Sequence, residues 1–129
     1  FSRFLETYSS EELKSFEDLN AWQQCRRVYF LIYQVTKKFP DEEKFSLVSQ
    51  MRRASISSAS NIAEGFGRTS KLDKAHFYTM ARGSITELQN QCILANDVGL
   101  INPTDLLTLK EEIITAHKLV VGLIKVTKI

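Results

Sequence analysis

Proline and glycine are scarce: 2 and 5 in 129 residues. An all-β chain needs many more turn formers, so long helices joined by few connections are expected. Cysteine is nearly absent as well. Cys25 and Cys92 lie inside helical patterns, and neither has a second cysteine at metal-ligand spacing. They read as small buried apolar residues of a reducing compartment rather than a disulfide. No apolar run approaches a membrane span and no signal peptide is visible, which makes a cytoplasmic, non-membrane protein the expectation. Charge of one sign is lacking too, since 17 basic residues face 15 acidic ones, a formal net charge of +2.

What is present is an ordinary globular balance, 43% hydrophobic and 25% charged, in a chain the size of one domain. The charges are unevenly placed. Residues 21–40 carry Arg26, Arg27, Lys37 and Lys38 and no acid. Residues 50–82 carry Arg52, Arg53, Arg68, Lys71, Lys74 and Arg82 against Glu64 and Asp73. In a symmetric oligomer a modest excess per chain multiplies into a strong local field.

The stretch 50–68 organises the chain. Ala54, Ser55, Ser57, Ser58, Ala59, Ser60 and Ala63 leave little bulk on any face. A helix made this way lets a neighbouring backbone come close. Val48, Met51, Ser55, Ala59, Ile62 and Phe66 step by three or four, and Gly65 and Gly67 are expected to end the helix in a left-handed C-cap. Asn61, Glu64 and Arg68 share the exit and read either as a polar network fixing the turn or as a binding site at the bundle end. Arg52 and Arg53 read as a solvated face, or as part of a phosphate-binding or subunit-contacting surface. Gly65-Phe66-Gly67 lacks the preceding strand and the Lys-Ser/Thr of a phosphate cradle.

Three further helices are expected around it. The first covers about residues 18–38, with one seam through Trp22, Cys25, Tyr29, Ile32 and Thr36 and a second through Val28, Leu31 and Val35. Phe39-Pro40 breaks it, and Asp41 is expected to cap the central helix, with Glu42 and Glu43 in its first turn. The third helix covers about residues 71–98, capped by Ser70 and stopped by Gly99. Its expected core face is Leu72, Phe77, Met80, Ala81, Ser84, Leu88, Cys92, Ala95 and Val98. Gly83 inside it costs up to about 1 kcal/mol against alanine and is read as close packing on the small-residue helix. The fourth opens at Asn102-Pro103, with Leu106, Leu109, Ile113, Ala116, Val120 and Leu123 inward and Leu107, Ile114, Val121 and Ile124 beside them. Short connections favour an up-down antiparallel four-helix bundle, and apolar surface beyond one seam favours an oligomer. Residues 1–15 form a lead, mobile or short-helical. Ser9 and Glu12 are a possible capping box there, and Phe1, Phe4, Leu5 and Tyr8 are suited to packing on a neighbour. Residues 16–129 form the bundle.

Catalytic and metal chemistry find little support. A di-metal bundle site needs two Glu-x-x-His pairs, and only Asp73 and His76 approach that spacing, while Ile114 stands three residues before His117. No arrangement marks a nucleophile. No cofactor and no enzymatic activity are expected.

The stretch containing Gln50, Arg52-Arg53-Ala54 and Asn61-Ile62-Ala63-Glu64-Gly65 resembles the four-helix bundle family of proteins encoded within 23S ribosomal RNA intervening sequences. Phe16-Glu17-Asp18-Leu19, Phe39-Pro40 and Ala81-x-Gly83-Ser84 continue the pattern. The resemblance implies an up-down bundle assembled as a ring-like homopentamer, with no established enzymatic activity. The chain is also similar to the accessory variability determinant proteins of diversity-generating retroelements, which are basic pentamers binding nucleic acid and a reverse transcriptase. RNA or DNA backbone contacts through Arg52, Arg53, Arg68, Lys71 and Lys74 are therefore one expectation. A scaffold or adaptor for a protein such as a reverse transcriptase is the other.

Overall fold

The computed structural model describes residues 13–128, so the expectations for Ser9, Glu12 and the apolar residues of the lead lie outside the described residues. Among those described are four α-helices, two 3-10 turns and no strand. The helices are α1 (Asn20–Thr36), α2 (Leu47–Phe66), α3 (Lys71–Asp97) and α4 (Pro103–Lys128). The 3-10 turns are Phe16–Asp18 and Asp41–Glu43. Each helix packs on the next along the chain and α4 closes against α1, with α2 and α3 the most closely packed pair.

The core is a set of three-and-four stripes. Ala21, Cys25, Val28, Ile32 and Val35 of α1 meet Leu109, Ile113, Ala116, Val120 and Leu123 of α4. Met51, Ala54 and Ile62 of α2 meet Tyr78, Ala81, Ile85, Leu88, Cys92 and Ala95 of α3. On α1 the two expected seams merge into one, and Trp22 and Tyr29 flank it half-buried. Ser55 and Ser58 are fully buried, and each hydroxyl donates to a carbonyl of its own helix, Arg52 O at 3.0 Å and Ser55 O at 2.7 Å. Those bonds offset the cost of taking a hydroxyl out of water. Gly65 is buried inside α2, where an added Cβ would lie 2.7 Å from Tyr78 Cε1.

Local chemistry sets the helix ends. The Ser70 hydroxyl accepts from Asp73 N at 3.0 Å, and Asn102 Oδ1 accepts from Asp105 N at 2.8 Å. Gly99 adopts φ +80°; its N–H donates to Asn96 O, and Leu100 N donates to Ala95 O, a Schellman ending.

Several expectations need correcting. Gly67 caps α2 at φ −79°, in right-handed geometry, so neither Gly65 nor Gly67 supplies a left-handed turn. The demand for glycine at 65 comes instead from the Tyr78 ring. Gly83 is exposed and an added Cβ would meet nothing within 4 Å. Residues 81 and 84 turn inward, and 83 points away from them. Asp41 does not cap α2; with Glu42 and Glu43 it forms a separate 3-10 turn, and α2 begins only at Leu47. On α3 the expected Ala81, Leu88, Cys92 and Ala95 are buried, but the rest of the face differs. Leu72 is 83% exposed and Val98 67%, Met80 is also exposed, and Ala75, Tyr78 and Ile85 are buried instead.

Candidate functional site

The five basic residues singled out from the sequence occupy two separate places. Arg52 and Arg53 lie near the start of α2, and Arg68, Lys71 and Lys74 lie beyond its end. At 1.5 Å per residue the helix between them is about 20 Å long.

At the far end, two cations serve the α2 C-terminus. Lys74 Nζ donates to the Phe66 carbonyl at 2.6 Å and lies 5.3 Å from the centre of the Phe66 ring. Burial lowers its pKa. Arg68 pairs with Glu64 at 3.1 Å, with its guanidinium 4.4 Å from the centre of the Phe77 ring. Positive charge is favourable beside the unpaired carbonyls of a helix end. Asn61 does not join this pair. Its amide donates to Ser57 O at 3.0 Å and Ser57 Oγ at 3.2 Å, and Ser57 Oγ lies 3.0 Å from Ser84 Oγ on α3. The expected network is thus two: an exposed ion pair at the exit and a polar tie between α2 and α3. Lys71 is exposed at the start of α3.

At the near end, Arg52 is committed to α1. Its Nε donates to Thr36 Oγ1 at 2.9 Å, Nη2 approaches Tyr33 O at 3.5 Å, and the guanidinium lies 3.9 Å from the centre of the Tyr33 ring. Arg53 is exposed and has no partner among the described residues.

The structure separates the cations of residues 21–40 and sets two of them in a row with exposed rings. Arg26, Phe30 and Tyr33 of α1 and Lys37 at its C-cap are exposed and follow one stripe, at intervals of four, three and four. Arg26 lies 5.5 Å from the Trp22 ring centre and Lys37 lies 5.2 Å from that of Tyr33. Between α1 and α2 runs an open groove of about 330 Å³, lined by Trp22, Arg26 and Tyr29 on one side and Ile56, Ala59 and Ser60 on the other. The small side chains of α2 are what keep it open. The neighbours of these cations point elsewhere: Arg27 pairs with Glu112, and Lys38 with Asp105 at 2.9 Å, both on α4. The helical part of α1 has no carboxylate and that of α2 has only Glu64. The absence of acid from residues 21–40 is the signal in the sequence that points to this face.

Among the described residues no group of His, Cys, Asp and Glu is arranged to hold a metal ion, and no helix is long and apolar enough to cross a membrane. Burial pushes the thiols of Cys25 and Cys92 up, to about 11 and about 12.

A family model described as 23S rRNA-intervening sequence protein matches residues 17–122. The chain is also similar to a solved structure from Bacteroides thetaiotaomicron VPI-5482, described as a protein with unknown function from the S23 ribosomal protein family. The two are 20% identical, with a TM-score of 0.75 over 81% of this chain and 95% of that one. At that identity the likeness speaks for the fold alone. No curated protein matches.

Proposed function

We propose the following reading for this chain, which belongs to the 23S rRNA-intervening sequence protein family. It is a non-enzymatic, up-down helical bundle that assembles as a homo-oligomer, a ring-like homopentamer, and holds nucleic acid by its phosphates on the α1–α2 face. The observation that carries the reading is the segregation of charge. Arg26 and Arg53 stand exposed on two adjacent helices whose only carboxylate is Glu64 at one end, with Lys37 exposed at the cap of α1; the acids Asp41, Glu42 and Glu43 are confined to the turn that joins the helices. Such a face attracts a polyanion without regard to sequence. Arg68 and Lys71 extend it at the bundle end, while Arg52 and Lys74 act mainly in holding helix ends.

The test is titration of labelled structured RNA and duplex DNA across a salt series. Affinity is expected to fall steeply with salt. Arg26→Glu with Arg53→Glu is expected to weaken binding and to flatten the slope by about 1 for each phosphate no longer neutralised. An unchanged slope in that double variant would place the nucleic acid on another face. The oligomer is supported by apolar side chains left exposed on α3 and α4, among them Ile93, Leu94, Leu107 and Ile114. A monomeric mass by light scattering at micromolar concentration would reject it. The same side chains favour a second reading, a scaffold for a protein partner such as a reverse transcriptase. Capture of such a partner that persists after nuclease treatment would support it.

A further inference from the structure

We infer that the α1–α2 face takes an unpaired strand rather than a duplex, with phosphates on its cations and a base stacked on Phe30; this rests on the nucleic-acid reading above. Phe30 is 59% exposed, and its ring has no aromatic or cationic partner among the described residues. It sits one turn from Arg26 on one side and one turn from Tyr33 on the other. Tyr33 already carries Arg52 at 3.9 Å and Lys37 at 5.2 Å from its ring centre. The stripe therefore runs cation, free ring, cation-covered ring and cation over about 16 Å of helix.

A duplex offers such a surface only its phosphates and base edges, because its base faces are stacked on one another. An unpaired strand offers phosphates and free base faces together, and stacking of bases on aromatic side chains is the sequence-tolerant way proteins hold it. The groove beside the stripe has an apolar floor, Trp22 and Tyr29 against Ile56 and Ala59, suited to a planar ring and not to a hydrated phosphate. An acidic peptide would match the charge, but it does not supply a planar face at each anionic repeat.

The experiment uses the full chain, a labelled homothymidine oligonucleotide, a duplex of equal length and poly-glutamate. Trp22 is the only tryptophan in the sequence and borders the groove, so its fluorescence reads the site directly. The single strand is expected to quench Trp22 and to bind more tightly than the duplex. Phe30→Ala is expected to weaken single-strand binding about fivefold or more while leaving duplex binding unchanged, and Phe30→Trp to retain it. Equal binding of both nucleic acids, unaffected by Phe30→Ala, would overturn the stacking and leave the phosphate reading standing. Binding of neither at low salt would overturn both, and binding of poly-glutamate alone would point to an acidic protein partner. A fall in light-scattering mass on Phe30→Ala would assign the ring to a subunit interface and overturn the inference.

Discussion

Gly65→Ala and Gly83→Ala are the same chemical change inside two helices, and they are expected to act with opposite signs. Glycine in a helix interior costs about 1 kcal/mol relative to alanine, so each substitution starts with a gain of that size. At position 83 nothing lies within 4 Å of the new methyl, and the gain stands. At position 65 the methyl would lie 2.7 Å from Tyr78 Cε1, 2.9 Å from Phe77 Cβ and 3.0 Å from Tyr78 Cδ1. Tyr78 is only 2% exposed and has little room to swing. Phe77 Cβ is fixed to the α3 backbone, so relief requires the two helices to part. Overpacking of this kind costs about 1–3 kcal/mol. With two approaches under 3.0 Å the upper part of that range applies, and the net loss is about 1–2 kcal/mol. Urea unfolding followed by far-UV circular dichroism reads the difference as a midpoint shift at unchanged slope. In heat the two variants should melt on opposite sides of the parent, by roughly 3–6 °C per kcal/mol. A Gly65→Ala protein as stable as the parent would refute the close α2–α3 approach. A destabilised Gly83→Ala protein would mean that the exposed face of α3 is covered in solution.

Arg52→Ala is expected to lose about 1–2 kcal/mol, because a charged hydrogen bond to Thr36 and a stacked cation are removed together. Arg53→Ala should leave the urea midpoint unchanged, and equal effects of the two would contradict their different placement. Hydrogen bonds from Arg27 and then Gln24 hold the Glu112 carboxyl below its ordinary range, against the opposing effect of burial. A depressed carboxylate stabilises the fold above its unfolded pKa, about 4.3, and that contribution is lost as pH falls through the folded value. Glu112→Gln should therefore flatten the acid side of the stability profile, and an unaltered profile would show the ion pair to be worth nothing in solution. Burial holds Cys25 near 11 and Cys92 near 12, so neither should react with a thiol reagent at about pH 8 until denaturant is added. Rapid labelling of the native protein would count against the packing of α1 or α3.

Which parts of the fold could be read from the sequence follows from how local their causes are. Ser70, Asn102 and Gly99 mark helix ends through bonds within a few residues, and all three act at the ends assigned to them. The stripe of α4 was legible because Leu109, Ile113, Ala116, Val120 and Leu123 keep a strict four-and-three spacing, even though Ile114, Val121 and Ile124 beside them are apolar too. The stripe of α3 was legible only in part: Ala81, Leu88, Cys92 and Ala95 are buried as expected. The rest of its buried face is Ala75, Tyr78, Ile85 and Gln91, while Leu72, Met80, Ile93, Leu94 and Val98 are left outside. With so little contrast, three-and-four stepping fits two rotations of the same helix. Gly65 and Gly83 show the same limit, since both are helical glycines and only the neighbouring helix decides which of them is needed.

The candidate site was harder to read for a geometric reason. Consecutive residues of a helix point about 100° apart, so a basic pair seldom serves one surface. Arg26 faces the groove while Arg27 binds Glu112 on α4. Lys37 covers Tyr33 while Lys38 binds Asp105. Arg52 ties down α1 while Arg53 meets solvent. Counting charges along residues 50–82 therefore joined cations that the length of α2 keeps apart, and passed over Arg26 and Lys37 across the groove. The spacing that does identify a surface is four, three and four. Applied to α1 and its C-cap it picks out Arg26, Phe30, Tyr33 and Lys37, a row of two outward rings flanked by two cations. It does so without reference to any neighbour in sequence.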